Sequence, residues 1–498
     1  MAASATGPSA LAATQTSAPG ARTLAGLGRQ IKAVIAQPRF AAARRGIAVV
    51  SLDTGRTLYA HHPDRLLQPA STAKLFTAAL SLATLGADYR IPTRLLARGA
   101  IRHGSLAGPL ILYGMGDPTL GTESSADWAD QLAAQLQARG VRRVDGDLIA
   151  DASYFTTPPF GPGWEAGDLL AAFAAPPSAL SVDENAVTLT ITPNRRPGLP
   201  ALLDFKPATA EPLLRSHLVT AAAKAPSDVN LYRAPGHQVL YAFGSIPADS
   251  PPQHFKLAVA DPALLAGRQL ELALARRGIR LVGQVRTLHW PQDDTSLRDG
   301  THVVAKIFSP PLMEVLHRGL KRSQNLYLQN LFLSVGAHLP AAQQAGMSPG
   351  FHDSGSRGSH ALDALLKKIG IPPTDVLISE GSGLSRRDLV TPDALVRLLS
   401  YLATQPYAVS LRDALPIAGV DGTLAAHMRG TRAENNVHAK TGSMTYVHCL
   451  AGYVTSAGGE RLAFAIMLNN YHRPEGAPRT SRDVDAIAVL LANFRGRH

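Results

Sequence analysis

The chain has a single cysteine, Cys449, in 498 residues, so no intramolecular disulfide can form. It sits in "VHCLAGYV", which reads as a core strand, and this context suits a buried inert thiol better than a nucleophile. Aromatic residues are only 6% of the chain, and the Lys and Arg behind the net charge of +12 are scattered through "AAARRG", "LARRGIR", "LLKKIG" and "FRGRH". Without a basic tract interleaved with stacking rings, nucleic acid is not an expected partner. The positive charge suits association with an anionic cell wall or membrane surface. No apolar run approaches the roughly 18 residues of a spanning helix. The opening "MAASATGPSALAATQTSAPGAR" has neither the basic start nor the apolar core of a signal peptide, and residues 1–22 read as a flexible leader. His61, His62 and the other histidines lack ligand spacing, so no metal and no cofactor is expected.

What the chain does contain is a balanced 45% of hydrophobic residues, enough for a sizeable core divided among two to four domains. A helical pattern begins at Thr23. "RGIAVVSLDTGRTLYAHHPDRLLQPA" then reads as a hairpin turning at Asp-Thr-Gly. From Tyr89 to about Val304 the texture changes to short strands with Pro- and Gly-rich punctuation, and helices return in "PPLMEVLHRGLKRSQNLYLQNLFLSVG". The last block predicts antiparallel strands and a closing helix. This pattern places one domain, which the resemblance below marks as catalytic, in 23–88 and 300–498, an inserted domain in 89–186 and 258–299, and a nested domain in 187–257.

"QPASTAKLF" puts Ser71 and Lys74 three residues apart at the start of an apolar helix. A serine there is ordinarily an N-cap. A lysine on the first turn of a buried helix is costly unless it has a partner, and at this spacing it faces the serine. "SQN" at Ser323 to Asn325 and "KTG" at Lys440 to Gly442 complete an ordered set. Taken singly, they could be a cap, ordinary helix polar residues and a strand-entry turn. Together they match serine acyl-enzymes. A serine hydroxyl needs a base within reach, and Lys74 can serve if burial and a neighbouring cation such as Lys440 lower its pKa. Ser323 can relay a proton to the leaving amine, and Asn325 can hold the lysine and the substrate amide. Lys440 and Thr441 on an edge strand suit a carboxylate. Gly442 admits close backbone approach, and the N–H groups of Ser71 and Ser443 suit an oxyanion hole.

The 252 positions between Ser71 and Ser323 exceed what a compact two-lobed β-lactamase requires. With "GDPTL", "DASYF", "GPGW", "SPPLMEVL", "EGSGLSRRDLVTP" and "LPIAGVDGTL", the chain resembles, from about Ala25 onward, the D-alanyl-D-alanine carboxypeptidase/endopeptidase family. These are class C low-molecular-mass penicillin-binding proteins, peptidase family S13. The resemblance implies an α/β (α+β) fold: a penicillin-binding/β-lactamase-like transpeptidase domain, with an antiparallel sheet flanked by helices, interrupted by two nested strand-rich domains. It also implies hydrolysis of peptidoglycan stem peptides or cross-links through a Ser71 acyl-enzyme, covalent inhibition by β-lactams, and a periplasmic or otherwise extracytoplasmic location. By the same resemblance Asp151 and Arg386 lie near a substrate side-chain pocket. The chain departs from the family pattern in Lys321-Arg322 before the second motif, Gln324 within it, and Glu380 where an Asp is usual. A β-lactamase or esterase with the same chemistry, or a wall-binding or β-lactam-sensing module without turnover, remain the alternatives.

Overall fold

The computed structural model describes residues 20–210, 212–292, 298–475 and 481–498. Most of the expected leader, residues 1–19, therefore lies outside the described residues. Where the description begins, the Ala21 carbonyl accepts a hydrogen bond from the Arg495 N–H near the other end of the chain.

The two ends of the sequence build one antiparallel sheet. Its order is Thr57–His61, Arg44–Ser51, Arg461–Asn469, Val447–Thr455 and His438–Met444. Alternation along these strands divides their side chains between two cores. Ile47, Val49, Leu450, Phe464 and Ile466 face the terminal helices Leu24–Ile35 and Ser481–Asn493. The opposite face is built largely of small residues, Ala48, Ala451, Ala463 and Ala465, and these admit Pro392–Leu402 close to the sheet. Behind them lie Lys74–Leu85 and Asn325–His338, with Phe76, Leu80, Leu328, Leu331 and Phe332 fully buried. Each such side chain contributes about 1.5–3 kcal/mol, so this packing can sustain the charged groups described below.

The interrupting segment forms a mixed sheet ordered Val285–Leu288, Leu148–Asp151, Leu110–Tyr113, Pro92–Ala97 and His302–Phe308. His302–Phe308 lies just past the expected boundary at 300 and pairs with Pro92–Ala97. Entry and exit strands of an insertion pair naturally because they leave and rejoin the host side by side. Within it, Ala186–Thr192, Leu202–Lys206 and Gln253–Ala258 form one three-stranded sheet, and Leu213–Ala221, Asp228–Tyr232 and Val239–Pro247 form another. Leu189, Ile191, Leu240 and Ile246 from these sheets join the same buried cluster as Leu110 and Leu148, so the nested segment shares its core with the insert. Among the described residues no helix is long and apolar enough to cross a membrane.

Candidate active site

Ser71 departs from the expected cap. It lies in a 3-10 turn, Ala70–Ala73, with no side-chain capping hydrogen bond, and the α-helix begins only at Lys74. Ala70 immediately before it has φ +46°, a left-handed conformation that a non-glycine residue holds only when its surroundings enforce it. The turn directs the hydroxyl at the lysine instead of at the helix backbone: Lys74 Nζ donates to Ser71 Oγ at 2.8 Å. The same ammonium donates to Asn325 Oδ1 and to the Ser382 carbonyl, both at 2.5 Å. Ser323 also has positive φ, +55°, at the break between Leu312–Lys321 and Asn325–His338, and its Oγ accepts from Lys440 Nζ at 2.8 Å. Thus the three motifs, spread over more than 360 positions, meet in one hydrogen-bonded cluster.

Both lysines are fully buried, whereas Ser71 is only partly covered and remains open to a substrate. Burial holds Lys74 far below the ordinary lysine range, at about 7, and facing Glu380 and Asp388 work against that fall. Lys440 is also pushed well down, by burial first and by Lys74 second. An amine near neutrality can exchange a proton with a serine at physiological pH.

His438–Met444 is the last strand of the sheet; its first residues are bridged by the Pro416–Ile417 segment, and beyond them one side of "KTG" can pair with an extended peptide. Thr441 Oγ1 lies 2.7 Å from Thr423 Oγ1, a second hydroxyl from "GVDGTL" that the sequence had not singled out. Ser443 is exposed two residues further on. A Cβ on Gly442 would stand 2.5 Å from the Pro69 carbonyl oxygen, backbone that cannot swing aside. Gly442→Ala should therefore push the edge strand off the Ser71 turn and slow acylation by about tenfold or more. Stopped-flow acylation of the purified variant checks this.

Arg386 and Asp151 are not brought together. Arg386 donates from Nε to Glu165 at 2.8 Å and from a terminal nitrogen to the Thr445 carbonyl at 2.9 Å, beside the end of the edge strand. Asp151 is wholly buried at the end of an inserted strand, where its carboxylate is ion-paired with Arg298 at 2.6 Å and accepts from the Ser153 N–H. The acids facing Arg386 come from "WEAGD": Glu165 in direct contact, and Asp168, raised by partial burial and by Glu165 and lowered by Arg386. The same segment returns to the centre, since Asn325 Nδ2 donates to the Phe173 carbonyl at 2.8 Å. Its only signal in the sequence was two acids downstream of a Pro- and Gly-rich stretch. Cys449 is buried beneath the site with its thiol pushed up to about 12, which fits an inert side chain. Among the described residues no cluster of His, Cys, Asp or Glu could hold a metal ion.

The sequence profile of the D-Ala-D-Ala carboxypeptidase 3 (S13) family matches residues 27–494, nearly the entire chain. The chain belongs to this family. Among S13 relatives, the D-alanyl-D-alanine carboxypeptidase of Actinomadura sp. (strain R39) is 37% identical over 490 residues, covering 96% of this chain and 86% of that one. D-alanyl-D-alanine carboxypeptidase DacB of Haemophilus influenzae is 29% identical, with 88% of each chain covered. The crystal structure of penicillin binding protein 4 from Haemophilus influenzae superposes with a TM-score of 0.79 at 28% identity, over 93% of this chain and 98% of that one. The fold is thus shared over nearly the whole of both chains.

Proposed function

We propose that this S13 protein is a serine D-Ala-D-Ala carboxypeptidase and/or DD-endopeptidase that cleaves peptidoglycan stem peptides through an acyl-enzyme on Ser71. The observation that carries this is the shared ammonium of Lys74, in contact with both the partly exposed Ser71 hydroxyl and the Asn325 side chain. Neutral Lys74 takes the Ser71 proton as Oγ attacks the carbonyl of the penultimate D-Ala. The developing oxyanion is received by the N–H groups of Ser71 and Ser443. The proton passes through Ser323 to the departing amine, which leaves as free D-Ala or as the acceptor peptide of a cross-link. Water then hydrolyses the ester and regenerates the serine. Lys440, Thr441 and Thr423 present an amine and two hydroxyls to the terminal carboxylate. Gly442 lets the peptide backbone lie flat on the strand.

Arg386 with Glu165 and Asp168 forms a mixed-charge rim suited to a substrate side chain that carries both an amine and a carboxylate. Asp151, held by Arg298, contributes to the shape of the insert instead. The peptidoglycan substrate places the enzyme outside the cytoplasmic membrane, in a periplasm where there is one, and the net charge of +12 favours the anionic wall. β-Lactams are covalent inhibitors in this reading, and a related structure of Haemophilus influenzae penicillin binding protein 4 is a complex with a novel β-lactam.

Incubation with pentapeptide-bearing muropeptides should release free D-Ala, and brief exposure to benzylpenicillin should leave one adduct on the Ser71 peptide. Rapid loss of drug without an adduct would make the protein a β-lactamase. Intact drug, no adduct and no D-Ala would make it a non-catalytic wall-binding module.

A further inference from the structure

The loop between Val376–Leu377 and Leu389–Val390 is wound around a carboxylate that the mechanism above does not use. Glu380 is completely buried. Its Oε2 accepts from the Ser382 N–H at 2.8 Å and the Ser382 hydroxyl at 2.6 Å, and its Oε1 accepts from the N–H groups of Leu384 and Ser385 at 2.9 and 3.3 Å. These bonds fix the peptide whose carbonyl oxygen receives the Lys74 ammonium. The loop is clamped to the catalytic helices at two further points. Thr77 Oγ1 donates to the Gly381 carbonyl at 2.8 Å, and the Gly381 N–H donates to Gln329 Oε1 at 2.6 Å. Gly383, at φ +74°, lies against the Ala70 carbonyl, one residue before Ser71.

Asp388 lies beside this carboxylate, with its Oδ1 accepting from the Ser379 N–H and hydroxyl, both at 2.9 Å. Burial and the charge of Glu380 push Asp388 well up.

We infer that Glu380 is a positioning residue for Lys74: its buried carboxylate fixes the loop so that the Ser382 carbonyl meets the ammonium, and it stands beside that ammonium itself. This rests on the proposed role of Lys74 as the base. The titratable groups facing Lys74 are Glu380 and Asp388 on this loop, both of which oppose its fall, and Lys440 on the edge strand. An anion favours the protonated amine, so its removal makes the free base available at lower pH.

The test is the pH dependence of Ser71 acylation by a chromogenic β-lactam in Glu380→Gln, Glu380→Asp and Asp388→Asn. In Glu380→Gln the acid limb should move down by about one pH unit, and the plateau rate should fall about tenfold because the loop loses acceptors. Glu380→Asp keeps the charge, so its limb should remain in place with a reduced plateau. Asp388→Asn removes the lesser of the two opposing carboxyls, so its limb should move down by less than that of Glu380→Gln. A Glu380→Gln limb that does not move would overturn the inference, even with a slower rate, because a purely structural role predicts that pattern. If Glu380→Gln does not fold, a Glu380→Asp plateau equal to that of the unaltered enzyme would overturn it as well. Failure of the unaltered enzyme to acylate at Ser71 would instead refute the proposed function.

Discussion

Ser71→Ala is expected to eliminate the benzylpenicillin adduct and to lower kcat/KM for D-Ala release by about 10⁴-fold or more, as removal of a serine nucleophile does elsewhere. The fold should survive. The Ser71 hydroxyl caps no backbone group and is partly exposed, so its removal opens no internal cavity. Stability should change by no more than about 0.5 kcal/mol. The informative comparison is intact mass and muropeptide turnover for the same folded sample. An adduct that persists on another residue of Ser71→Ala would show that the nucleophile had been misassigned.

The second large effect is the pH dependence of acylation. A lysine acts as base only when neutral, and burial brings Lys74 to about 7. The acylation rate should therefore rise with pH through about 7 and level off above it. An ordinary lysine would place the same limb near 10.4. Lys74→Arg keeps a cation in place but holds its proton at all accessible pH, so the rate should fall by about 10³-fold or more and the limb should vanish. Stopped-flow measurement from pH 5 to 10 decides the matter, and a limb near 10 in the unaltered enzyme would remove Lys74 from the role of base.

The chemistry of the site was legible because it depends on residue types at short spacing. Ser71 and Lys74 meet at i, i+3 in any helical turn, and "SQN" and "KTG" bring their groups as compact units. Contributors without local spacing were not legible. Thr423 reaches Thr441 across a loop, and Glu165 reaches Arg386 from 221 positions away. Asp151 shows the converse. Its motif "DASYF" was plain to read, but the strand it ends belongs to the inserted sheet, and Arg298 takes up its charge. The N-cap expectation for Ser71 failed because Ala70 is held at positive φ against the loop at Gly383 and the edge strand at Gly442, contacts that helix propensity does not include.

The sequence by itself determined the class of chemistry, the alternation that makes each strand two-faced, and the interruption of one sheet by a long insert. These follow from local periodicity and from side-chain type, both of which can be read without knowing what lies opposite. Tertiary structure alone decided the full burial of Lys74, the acids beside Arg386 and the pairing of His302–Phe308 with Pro92–Ala97. Desolvation of an amine, pairing of distant charges and closure of a strand pair all depend on which groups are brought into contact across the fold, because the energies involved act through space and not along the chain.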